Sequence, residues 1–180
     1  MGSYYQTVVD LEASAQDAAR LAEETVAWLV ATGIVLPEHT GNAGHLPGPN
    51  WQRAVTEDWD WKPSGDMTVR TGRQAFHSGS DMPEAAVCPH CTALSPLDDD
   101  SWSHLCGAID TWYATGEAYL SCPACAVDVP LPDWAWDSAP FAFGYLGFEF
   151  RDWPDLSPEF VARLPGALRG HRTTYLWGKL

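Results

Sequence analysis

The sequence predicts an α+β fold in which two strand–helix–strand halves share one sheet and a cysteine-bearing module is inserted between them. Three observations carry this. A β-rich segment followed by a helical repeat opens the chain. A similar pair closes it. Between them, four of the five cysteines fall into two CPxC tetrapeptides. At 180 residues and 46% hydrophobic content, the chain suits one domain with an elaboration or two small ones, with ample material for a core.

The elements follow in chain order. Ser3–Asp10, "SYYQTVVD", reads as a first strand. Ser14 with Asp17 three residues on resembles a capping box, and Ala18, Leu21, Ala22, Thr25, Trp28, Leu29 and Thr32 recur at helical spacing before Gly33, so a helix is expected from Ser14 to Thr32. Pro37–Asn50 is a loop by composition. Met67–Phe76 reads as one long strand or a small hairpin turning at Thr71–Gly72. Tyr145–Trp153 is a strand. Ser157, Pro158 and Glu159 start a helix that buries Phe160, Val161, Leu164 and Leu168, is shortened or kinked by Pro165 and ends at Gly170. Thr173–Leu180 is the last strand. Two such halves in one sheet make a ferredoxin-like sandwich. Residues 1–80 and 140–180 together form that domain, and 85–130 the inserted module.

The two tetrapeptides carry the chemistry. A CxxC turn sets two thiolates a metal-ligand span apart, and two turns brought together supply a tetrahedron of sulfur. Zn²⁺ favours that set, and a site closed by four cysteines is structural. Cys88, Cys91, Cys122 and Cys125 are therefore expected to hold one structural Zn²⁺, with iron as the competing ion. One CxxC would suffice for a thioredoxin-type redox pair, and neither opens a helix in a βαβ pattern.

Cys88-Pro89-His90-Cys91 and Cys122-Pro123-Ala124-Cys125 resemble the paired knuckles of the zinc-ribbon family over about residues 85–130. The resemblance implies two β-hairpins clamping one zinc. The chain as a whole resembles uncharacterised zinc-ribbon proteins of GC-rich bacteria, a likeness that carries no activity. Thr92 and Ala126 stand where many ribbon knuckles have glycine, so the turn geometry is expected to differ. The segment between the knuckles is long enough for its own helix, capped by Asp98–Asp100, with Trp102, Leu105, Cys106, Ile109 and Trp112 facing inward and Gly116 closing it. Cys106 then reads as a small buried apolar residue, and His90 and His104 as solvated. In isolated finger peptides zinc binding is worth roughly 10–16 kcal/mol, so metal is expected to contribute folding energy here.

Charge excludes several function classes. The formal net charge is −14, and from Gln74 to Phe150 there is no Lys or Arg against eleven acids. No basic stripe exists to track a phosphate backbone, so a nucleic-acid module is disfavoured, and an anionic membrane surface likewise. A basic protein would be attracted and steered. No apolar run reaches a membrane-spanning length, Met1–Asp10 lacks the basic start and apolar run of a signal peptide, and a cytoplasmic location is expected.

Catalytic signatures are missing. There is no HExxH, GxSxG, GxxxxGK[ST] or kinase-like set, and no two histidines are three or four residues apart. The expected function is non-catalytic: a zinc-stabilised acidic protein that binds another protein, with immunity or antitoxin-type inhibition of a basic partner suiting the charge. Asp98, Asp99, Asp100, Trp102, Trp134 and Trp136 are candidates for the partner face, although the two tryptophans of "PDWAWD" equally suit packing of the module onto the sheet. The alternative is an enzyme or small-ligand binder using a cleft between sheet and module. The sequence leaves oligomeric state and partner open.

Overall fold

The computed structural model describes residues 3–39, 44–56, 61–79, 83–137 and 141–179. The fold is α+β. Strand β1 (Tyr4–Asp10) leads to helix α1 (Ala18–Ala31), a hairpin of β2 (Val35–His39) and β3 (Gly44–Pro47), a 3-10 turn (Trp51–Ala54) and the long strand β4 (Met67–Phe76). The inserted module holds β5 (Ala85–Val87), β6 (Leu94–Pro96), helix α2 (Asp99–Thr115), β7 (Tyr119–Ser121), β8 (Asp128–Pro130) and β9 (Ala135–Trp136). The chain then returns through β10 (Ala142–Arg151), helix α3 (Pro158–Ala167) and β11 (Thr173–Lys179).

Six strands make the main sheet, in the order β11-β1-β10-β4-β3-β2, antiparallel at each pairing. Because β10 runs antiparallel to both β1 and β4, those two run the same way with β10 between them. By the same argument β10 and β11 run parallel with β1 between them.

Hydrophobic periodicity places the helices. Helix α1 buries Ala18, Leu21, Ala22, Thr25 and Leu29, one face of a 3.6-residue repeat. Helix α3 buries Phe160 and Leu164. Both pack on Val8, Met67, Leu146, Phe148 and Phe150 of the sheet. Trp28 of α1 stacks on Phe160 of α3 at 6.3 Å between ring centroids, and Phe150 meets Phe160 edge-on at 5.9 Å. Ser157 caps α3 by accepting the Phe160 N–H at 3.1 Å, and Pro165 sits inside the helix, which ends within three residues of it.

Two expectations are corrected, and one pair of alternatives is decided. The first helix begins at Ala18, because Ser14 Oγ accepts the Asp17 N–H and its hydroxyl donates to the Asp17 carboxylate in a separate turn ahead of it. Pro37–Asn50 is not wholly a loop: β2 ends and β3 runs within it, and Pro37 is tolerated because β2 is the sheet's edge. The tip of that segment, 40–43, and the acid Asp81 lie outside the described residues. Met67–Phe76 is one strand, with a bulge instead of a turn: Gly72 and Arg73 together oppose Tyr145, and Gly72 has φ 90°.

That bulge positions the module. Arg73 Nη1 donates to the Tyr113 carbonyl on α2 at 2.7 Å, and the Ala75 N–H donates to Tyr113 Oη at 3.0 Å. Trp112 lies 5.9 Å from Phe143 and 5.8 Å from Tyr145, and its indole N–H donates to the Gln74 carbonyl. Trp136 packs edge-on against Phe141 at 5.4 Å, and Trp102 stacks on Phe141 at 6.4 Å. Aromatic rings fill the space between module and sheet.

Candidate metal centre

Each CPxC tetrapeptide sits at the tip of a short hairpin. The first joins β5 to β6, paired Ala85↔Pro96 to Val87↔Leu94, and the second joins β7 to β8, paired Tyr119↔Pro130 to Ser121↔Asp128. The tips repeat one hydrogen-bond pattern. Cys88 N–H donates to the Ala93 carbonyl and Thr92 N–H to the Cys88 carbonyl; Cys122 N–H donates to the Val127 carbonyl and Ala126 N–H to the Cys122 carbonyl, all between 2.8 and 3.1 Å. Closing that second bond forces the residue after each second cysteine into the left-handed region: Thr92 and Ala126 both have φ 58°. The two knuckles share one geometry without glycine, at the expense of backbone strain.

The hairpins bring the four sulfurs together. Cys88 Sγ lies 3.9 Å from Cys125 Sγ, Cys91 Sγ lies 3.7 Å from Cys122 Sγ, and all four fall within 4.8 Å of one another. Tetrahedral coordination at a metal–sulfur distance of about 2.3 Å sets ligand sulfurs about 3.8 Å apart. A disulfide would need about 2.05 Å. The four cysteines fit a metal ion in a zinc-ribbon-like site.

Local electrostatics agree. The backbone N–H groups of Cys125 and Ala124 pull the Cys122 thiol down to about 7. Against the Ala93 N–H, which favours its thiolate, desolvation and the neighbouring sulfurs push Cys91 up to about 12. Thiolates this close repel one another, and a shared cation removes that repulsion.

Cys88 and Cys122 are buried among Ala86, Val129 and Trp134, while Cys91 is exposed. The sequence did not foretell Trp134 in this role. Strand β9 pairs with β5, Ala86↔Trp136 and Val87↔Ala135, and so draws the preceding Trp134 over the knuckles, leaving it 6% exposed. Of the residues offered as a partner face, Trp134 is thus buried, Trp102 and Trp136 are half-buried in the aromatic seam, and Asp98, Asp99 and Asp100 are exposed. Asp98 is the α2 N-cap, accepting the Ser101 N–H at 2.9 Å, and Gly116 closes the helix at φ 83°. Cys106 is half-buried on α2 and outside the sulfur cluster; His90 and His104 are exposed.

No family model matches the chain, and neither the curated proteins nor the solved structures contain a significant match. No helix among the described residues is long and apolar enough to cross a membrane.

Proposed function

We propose that this chain is a non-catalytic binding protein, a ferredoxin-like sandwich carrying a zinc ribbon, whose acidic module captures a basic protein partner. The strand order β11-β1-β10-β4, with β2 and β3 added at the edge, supports the sandwich reading. Zinc is the ion that four thiolates at tetrahedral spacing suit best, and Cys88, Cys91, Cys122 and Cys125 would hold it. A ligand set closed by cysteine leaves no position for substrate, which supports a structural role. A reducing compartment such as the cytoplasm would keep these thiols available.

The observation that carries the reading is charge segregation. Asp98, Asp99, Asp100, Asp110, Glu117, Asp128 and Asp133 are all exposed, and none is in an ion pair among the described residues. The described arginine pairs engage acids outside the module instead: Arg20 with Asp17 and Glu24, Arg169 with Glu24, Arg70 and Arg151 with Glu149, and Arg172 with Glu12. The module therefore presents unneutralised carboxylates on a rigid support, an arrangement that steers a cationic partner and discriminates against anionic ones. Immunity or antitoxin-type inhibition is the biological setting this suits. The aromatic filling between module and sheet weighs against the alternative of a ligand cleft there.

The test is affinity capture from native lysate at low and at high salt. Capture of a basic protein that weakens steeply with salt supports the reading. Capture that ignores salt refutes charge-driven recognition.

A further inference from the structure

We infer that the crevice between α2 and strands β6 and β7 is the docking groove for the partner, and that it takes a Lys/Arg-rich amphipathic helix. This rests on the protein-binding reading above and names where and how that binding occurs.

The crevice is a run of hollows that meet at His104. The innermost, about 190 Å³, is lined by Leu97, Leu105, Leu120, Pro123 and Trp134. It opens past Pro96, Asp98 and Asp100 on one side, and past Gly107, Thr111 and Tyr119 on the other, where the hollow is about 420 Å³. Its lips carry two of the most exposed large apolar side chains among the described residues, Leu94 at 57% and Tyr119 at 58%. Its floor includes the buried Trp134. Apolar lips over an apolar floor make a surface suited to being covered.

Charge complementarity selects the occupant. Asp98 and Asp100 line one mouth, and Asp128 bonds Ser121 at the other. No Lys or Arg occurs between Gln74 and Phe150 to answer them. An occupant with apolar anchors and cationic flanks satisfies both features, and a second copy of this acidic chain would be repelled. An amphipathic helix is the segment that sets apolar anchors on one side and cations on the other. Gly107 is exposed on α2 beside the larger hollow, and a Cβ built there meets nothing within 4 Å, so this side of the hollow is open to an incoming segment.

The test titrates the zinc-loaded full-length protein with three synthetic peptides: a Lys/Leu amphipathic helix, the same composition scrambled to remove amphipathicity, and a Glu/Leu helix. Gly107→Leu is the blocking variant. It replaces an exposed helical glycine and is expected to keep the fold, which its melting curve and metal content check. The inference expects the Lys/Leu helix to bind at least about tenfold tighter than the scramble, and Gly107→Leu to weaken it by about tenfold. Backbone resonances of His104–Thr111, Leu94 and Tyr119 should shift in the wild type. Equal binding of the scramble, or no effect of Gly107→Leu, overturns the groove and leaves salt-dependent protein capture standing. A concentration-dependent dimer that Gly107→Leu abolishes overturns the choice of occupant.

Discussion

Thr92 and Ala126 hold equivalent places in the two knuckles, each one residue past the second cysteine and each at φ 58°. A β-branched residue in the left-handed region is unusual, and the strain is of order 1 kcal/mol at each position. It persists because the N–H of each must reach back to the carbonyl of the first cysteine for the sulfurs to converge. Replacing Ala126 by glycine is therefore expected to stabilise the metal-loaded protein by about 0.5–1 kcal/mol in urea titrations, against the usual direction for glycine. Thr92→Gly should gain less, because it also loses the hydroxyl's bond to the Cys91 carbonyl.

Metal removal should act on the module before the sandwich. The knuckle core is small, containing Ala86, Cys88, Cys122, Val129 and Trp134, whereas the sandwich has its own large cluster around Phe148, Phe150 and Phe160. Strong chelation at neutral pH should erase hydrogen-exchange protection over β5–β9 and leave β1, β10 and β11 protected. One metal per chain, lost in Cys122→Ala, checks the ligand set. A melting curve unchanged after confirmed metal loss would refute it.

Gln6 is a polar pivot of the main sheet. Fully buried on β1, its amide donates to the carbonyls of Trp153 and Pro154 and accepts the Leu156 N–H at 2.7 Å and the Tyr175 hydroxyl at 2.6 Å. Gln6→Leu keeps the volume and orphans four partners. A loss of about 2–4 kcal/mol is expected in chemical denaturation, because buried groups left unpaired keep their full desolvation cost.

Glu149 supplies an acid-limb test. Although burial opposes its ionisation, Arg70 at 3.0 Å and Arg151 at 2.7 Å hold its carboxyl below the usual range. A depressed folded-state value means the contribution is present above the unfolded glutamate range near pH 4 and is lost as pH falls through the folded value. Glu149→Gln should cost about 1–2 kcal/mol at pH 7, the scale of hydrogen bonds to charged groups. The stability curves of variant and parent should converge in acid. Parallel curves down to pH 2 would show that the loss does not come from Glu149's ionised pairing.

Much of this molecule is legible in its local chemistry. CPxC spacing picks out the four cysteines that cluster because a knuckle is a local turn, complete within six residues. The α2 boundaries follow from Asp98 and Gly116 for the same reason, since caps act on the nearest backbone groups. Hydrophobic period and breakers likewise announce β1, α1, α3 and β11. Tertiary structure decided what depends on distant partners. The hairpin at Val35–Pro47 exists because β4 offers an edge to pair with, which outweighs a loop-like composition rich in Gly and Pro. Trp134 and Trp136 turn inward because β9 pairs with β5 nearly fifty residues upstream. Gln6 becomes a buried junction only when residues about 150 positions away close over it. Local backbone preferences are written in neighbouring residues; burial and pairing are settled by which surfaces meet when the chain collapses.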